Sequence, residues 1–106
     1  MELEIVKNAE IADKNDVFRK LGFGVTMTCG AADLPDVIGL MQKVRDFNDF
    51  SEANDPYFEH DMGKIEWHGE KVFWKIDYYN DQLTCFEDPL SPTCKRVMTV
   101  MLAEEY

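Results

Sequence analysis

No stretch of this 106-residue chain approaches the roughly 18 consecutive apolar residues that a membrane-spanning helix needs, so no membrane span is expected. Basic charge is also scarce. Lysine and arginine number 11 against 21 aspartates and glutamates, a formal net charge of -10. A field of that sign repels phosphate backbones, which argues against direct nucleic-acid binding; it is compatible with a basic protein partner, and equally with acidity that simply keeps a small protein in solution. Cysteine is limited to Cys29, Cys85 and Cys94, without C-x-x-C spacing. That spacing gives no disulfide framework and suits reduced thiols acting as small buried apolar residues. The segment MELEIVKNAE places Glu2, Glu4 and Glu10 where a secretory leader would carry positive charge and an apolar run, so the cytoplasm is the expected compartment. Neither a G-x-S-x-G elbow nor a G-x-x-x-x-G-K-S/T phosphate loop occurs, and no cofactor is expected.

What is present suffices for a core. Apolar residues make up 45% of the chain and aromatics 12%, and one domain over residues 1–106 buries roughly 60–70% of the surface its unfolded form exposes. Ile5, Ala9, Ala12, Val17, Phe18 and Leu21 recur loosely at helical spacing, giving one helix to a stop at Gly22, or two short ones broken near Asn15. In FGVTMTCG the residues Phe23, Val25, Met27 and Cys29 alternate with smaller ones, the period of a half-buried strand. Asp33 then offers an N-cap and Pro35 a first-turn position, followed by Leu34, Val37, Ile38, Met41 and Val44 at steps of three and four. That stripe predicts a helix from Leu34 to about Asp46.

From Met62 to Asp77 the period changes to two. A turn at Gly69-Glu70 would oppose Trp67 to Val72, Ile65 to Trp74 and Gly63 to Ile76 on one apolar face, a β-hairpin. Residues LTCF add a short strand. The tail KRVMTVMLAEEY fits either a helical stripe or a buried strand, and the Ser91-Pro92 pair, a good N-cap and N1, favours helix over residues 93–104. The fold class is therefore α+β: one small domain with an antiparallel, hairpin-based sheet packed against two or three helices.

Between helix and hairpin lies DFNDFSEANDPYFEHD, in which Asp46, Asp49, Glu52, Asp55, Glu59 and Asp61 occur with no lysine or arginine. The segment has no period, and Asn54-Asp55-Pro56 marks a turn. Acids interleaved with aromatics resemble interface anchors ringed by steering charge, which nominates Asp46, Asp49, Phe50, Glu52, Asp55 and Tyr57 as partner contacts, against the plainer reading of a surface loop that its aromatics pin to the body. Glu59, His60 and Asp61, with Asp55 and His68 nearby, form the competing candidate: divalent-metal ligands or an acid–base pair. Consecutive residues on an extended chain point to opposite sides, so only Glu59 with Asp61, or His60 with a distant group, makes geometric sense. A structural role, with carboxylates capping turns and His60 fixing the loop, is favoured and needs no metal. Trp67 and Trp74 read as hairpin core, and Met98, Met101 and Tyr106 likewise as core.

Asn54-Asp55-Pro56-Tyr57, Glu59-His60-Asp61, Trp74-Lys75-Ile76-Asp77-Tyr78-Tyr79, Glu87-Asp88-Pro89 and the terminal Arg96 to Tyr106 segment together resemble a bacterial family of uncharacterised small proteins, a domain of unknown function. The resemblance runs from about Asn15 to Tyr106 and implies no activity. Phe58 and Met62 stand where that pattern more often has Gly and Phe. Members look like stand-alone proteins, some carried on plasmids and other mobile elements, which implies a role in countering a host defence or regulating a plasmid function. Composition and resemblance together point to a non-enzymatic acidic interaction protein that binds a basic partner, such as a nucleic-acid-binding or host-defence protein whose DNA site it occupies or mimics. The alternative is a small metal-dependent or acid–base enzyme centred on Glu59, His60 and Asp61.

Overall fold

A computed structural model describes residues 2–21, 24–53 and 55–106. The expected stop at Gly22, the strand start at Phe23 and the turn residue Asn54 lie outside them. Helix α1 runs unbroken over Glu2–Leu21, with Arg19 and Lys20 complementing the negative end of its dipole. Its buried row is Ile11, Ala12, Asn15 and Arg19, whereas Ile5, Val6, Val17 and Leu21 are exposed. The helix is thus held inward by polar Asn15 and Arg19 as well as by Ile11, Ala12 and Phe18, and an apolar stripe reveals only the latter kind.

Strand β1 covers Val25–Met27, and Cys29 begins the short helix α2, Cys29–Ala32, instead of extending the strand. Thr28 caps α2 by accepting from the Ala31 N–H at 3.3 Å. The next helix, α3, spans Val37–Arg45 and is capped by Asp36, whose carboxylate accepts from the Gly39 N–H at 3.1 Å. The expected start at Leu34 with Asp33 as cap is corrected: the Asp33 and Leu34 N–H groups donate to Cys29 and Ala31 and so complete α2. Pro35 has no N–H to give, and its carbonyl accepts from the Trp67 indole at 2.7 Å.

Strands β2 (Met62–Trp67) and β3 (Glu70–Tyr79) form the hairpin, and β4 is Lys95–Leu102, followed by a 3-10 turn at Ala103–Glu105. The sheet order is β1-β4-β3-β2, with β1 parallel to β4 and the other pairs antiparallel. The helical preference for the tail is therefore overturned. Residues Val97 to Leu102 suit both periods, and β3 offers a second edge on which Val100 pairs with Trp74 and Met98 with Ile76. Ser91 does not cap a helix but donates to the Glu87 carboxylate within a turn, at 2.9 Å. LTCF contributes only an isolated pairing of Phe86 with Tyr79.

The hairpin register differs from the expected one by two residues. The turn is His68-Gly69, with φ 50° and 83°, so Ile65 opposes Val72 and Gly63 opposes Trp74. Positive φ at both central positions is the type I′ geometry that matches strand twist, and histidine tolerates it better than most side chains. A slip of two preserves which face each side chain takes, so the apolar face stands as expected. Gly63 is needed there because a Cβ would collide with the Trp74 indole and sit 2.8 Å from Phe47. The core gathers Ala31, Leu40, Val44, Val72, Trp74, Ile76, Met98 and Val100 between helices and sheet. Met101 is also buried, while Tyr106 is 70% exposed, contrary to its core expectation. Cys29 and Cys85 are exposed too, and all three thiols are free. Among the described residues no helix is long and apolar enough to cross a membrane.

Candidate functional site

The acidic segment begins where α3 ends. Asp46 closes that helix: its N–H donates to the Gln42 carbonyl and its carboxylate accepts from the Gln42 amide, both at 3.0 Å. Two aromatics then turn inward. Phe47 and Phe50 meet edge to face at 5.0 Å between centroids, and both contact the Trp74 ring edge to face, at 5.4 and 6.1 Å. The far end of the segment folds back onto the same spot, with the His60 imidazole stacked on Phe50 at 3.8 Å and 3°.

Asp55 makes that return possible. It is 2% exposed, and its carboxylate accepts from the backbone N–H groups of Glu59 at 3.1 Å and His60 at 3.2 Å. Phe58 and His60 both take positive φ, 54° and 56°, which tightens the turn at the expense of backbone strain. His60 Nδ1 lies 3.0 Å from Asp16 of α1, and Nε2 lies 3.8 Å from Asp55. Arg19, 1% exposed, donates to Asp16 at 3.1 Å and to the Phe47 carbonyl at 3.0 Å while its guanidinium lies over the Trp74 and Phe50 rings.

Beside this lies a second knot. Asn15, fully buried, donates through Nδ2 to the Glu59 carbonyl at 2.9 Å and the Tyr78 hydroxyl at 2.8 Å, and its Oδ1 accepts from Arg96 Nε at 2.6 Å. Arg96 continues to the Pro89 carbonyl at 2.8 Å and lies over the Tyr78 ring. One amide side chain thereby joins α1, the acidic segment, β3 and β4. Sequence reading missed Asn15, Asp16 and Arg19, and the available signal was the four-residue step from Ile11 through Asn15 to Arg19 on the buried row.

The nominated partner contacts divide in two. Asp46, Asp49 and Glu52 are exposed, and Tyr57 is 69% exposed. Phe50 and Asp55 face inward as anchors of the segment. The catalytic candidates separate as well. Glu59 lines a cavity of about 430 Å³ with Tyr78 and Asp88, whereas Asp61 lines another of about 280 Å³ with Asp77 and Tyr79. Burial, then the neighbouring Asp61 and Asp55 charges, pushes the Glu59 carboxyl above its usual range. Asp61 is raised mainly by burial and secondarily by Asp55, against hydrogen bonds that favour its ionised form. His60 opens on a pocket of about 330 Å³ walled by Ile5, Ala9, Ala12 and Phe58. Both its nitrogens already face carboxylates, which suits a loop anchor better than a base awaiting a substrate proton. His68 sits in the hairpin turn against Trp67. Among the described residues no three His, Cys, Asp or Glu side chains are grouped to hold a metal ion.

Residues 25–105 match the family described as Protein of unknown function (DUF3768), and the chain belongs to that family. No curated protein and no solved structure matches it. Helix α1, which supplies Asn15, Asp16 and Arg19, precedes the matched span.

Proposed function

We propose that this chain is a non-enzymatic acidic interaction protein whose segment 46–61 engages a basic protein, of the kind that itself binds nucleic acid. The observation that carries the reading is the division of that segment: Phe47, Phe50, His60 and Asp55 fasten it from beneath, while Asp46, Asp49, Glu52 and Tyr57 stand outside. A segment fastened in this way loses little conformational freedom on binding, so its carboxylates and exposed ring act from a preorganised frame. The chain's net charge of -10 adds long-range attraction for a basic surface. A DNA-mimicking role is the specific form of this reading, with the carboxylates standing in for phosphates.

The test is capture of the partner on immobilised protein from host lysate, followed by kinetics with the purified partner across a salt series. Association should slow as ionic strength rises, because the screening length falls to about 8 Å at physiological salt. Neutralising the three acids as Asp46→Asn, Asp49→Asn and Glu52→Gln should slow association further while leaving the melting temperature nearly unchanged. A captured partner indifferent to both salt and the triple substitution would overturn the proposal.

A further inference from the structure

Strand β2 ends the sheet, and the pairing fixes which of its backbone groups face outward. The Ile76 N–H donates to the Asp61 carbonyl at 2.8 Å. In an antiparallel ladder the bonded pairs then continue at Gly63 with Trp74, Ile65 with Val72 and Trp67 with Glu70. The N–H and C=O groups of Met62, Lys64 and Glu66 consequently point away from β3, along the free edge. A groove of about 570 Å³ runs between that edge and α3, and its lining includes Lys64 and Glu66 from one face of β2 and Ile65 and Trp67 from the other. Asp46, Phe47 and Asp49 form its opposite wall.

From this we infer that the β2 edge takes up an extended basic segment of a partner protein by strand addition, a conclusion that rests on the acidic-interaction reading and gives its partner a shape. An added strand would satisfy the outward backbone groups of Met62, Lys64 and Glu66. Its side chains would alternate between the two faces, apolar positions lying beside Ile65 and Trp67 and basic positions beside Glu66, while Asp46 and Asp49 on the opposite wall add negative charge close to the strand. Two lysines, Lys43 and Lys64, also border the groove, but Lys64 leans over the Phe73 ring on the other face of the sheet at 5.7 Å. A second copy of this chain is the poorer occupant. Symmetric pairing of two β2 edges centred on the middle of the three outward-facing residues sets Lys64 opposite Lys64, and two chains of charge -10 repel.

The experiment uses a labelled eight-residue peptide alternating lysine with valine, a glutamate–valine control, and two lysine–valine twins N-methylated at either the lysines or the valines. Whichever way the strand runs, one twin has its methyl groups turned toward β2. The lysine peptide should bind, the glutamate peptide should not, and one methylated twin should bind at least about tenfold more weakly, with amide exchange at Met62, Lys64 and Glu66 slowed only by binding peptides. Asp46→Asn with Asp49→Asn should weaken the lysine peptide severalfold. Equal binding of both twins without protection at β2 would overturn strand addition while leaving the acidic reading to the capture experiment. Failure of the lysine peptide to bind, or sedimentation showing that β2 protection comes from dimers of this chain, would also overturn it.

Discussion

Replacing Asn15 with alanine should be among the most damaging single changes outside the apolar core. The side chain is fully buried and makes three hydrogen bonds of 2.6–2.9 Å, to the Glu59 carbonyl, the Tyr78 hydroxyl and the Arg96 guanidinium. Truncation leaves all three partners without that bond, and Glu59, Tyr78 and Arg96 are only half-buried, so water recovers part of the loss. At about 1–1.5 kcal/mol for each bond the variant should lose about 3–4 kcal/mol. A chain of this size unfolds with an entropy that converts this to a fall in melting temperature of roughly 13–18 °C. Asn15→Asp keeps the acceptor for Arg96 but loses both donors, so it should recover only part of the loss. Chemical denaturation with a wild-type m-value is the assay. An alanine variant within about 1 kcal/mol of wild type would refute the view that this residue fastens helix, segment and sheet together.

Trp74→Ala removes a fully buried indole from the centre of the core and should cost about 3–5 kcal/mol in the same assay; an unchanged midpoint would remove Trp74 from the core. At position 58, where φ is +54° and the ring is 49% exposed, Gly should be more stable than Ala by about 1 kcal/mol, the reverse of their order in a helix or strand; Ala equal to or better than Gly in thermal melts would show that the strain is absent. Glu59 and Asp61 have folded pKa values above the ordinary 4.5 and 3.8, so the native state holds their protons more tightly than the unfolded chain does. Their contribution to stability is therefore fully present below those ordinary values and is lost as pH rises through the elevated ones. Glu59→Gln combined with Asp61→Asn should flatten that part of the stability–pH curve, and a double variant with the wild-type slope would contradict the assignment.

The sheet's faces were legible in the sequence because alternation in Gly63–Trp67 and Val72–Ile76 fixes parity. The register was not, since a shift of two residues leaves every side chain on its face and only turn geometry at His68-Gly69 decides. The tail became a strand because β3 had an edge to fill, a tertiary fact invisible in a segment that suits both periods. For the same reason the buried row of α1 was only partly detected: hydrophobic periodicity registers Ala12 and Phe18 but gives no weight to Asn15 and Arg19, whose burial depends on partners 28 to 81 residues away. Within the acidic segment the residue types were informative and their directions were not. Phe50 and Tyr57 look alike as aromatics among acids, yet one stacks on His60 and the other is exposed.

That difference in direction separates fold from binding within one segment. Changes at Asp55, Phe50 or His60 act on the anchors, so any loss of binding they cause arrives together with a loss of stability and carries no information about contact. Asp46→Asn keeps the acceptor for Gln42, and Glu52 and Tyr57 are exposed, so substitution there bears mainly on the surface. Tyr57→Ala is the most discriminating of these. An exposed ring that anchors a partner should, when removed, speed dissociation by an amount worth more than about 1 kcal/mol while charge-neutralised neighbours alter association instead. If Tyr57→Ala left the dissociation rate of the captured partner unchanged, contact would have to lie elsewhere on the acidic surface, and the β2 groove beyond Asp46 and Asp49 is where the remaining carboxylate, Glu66, stands beside a free strand edge.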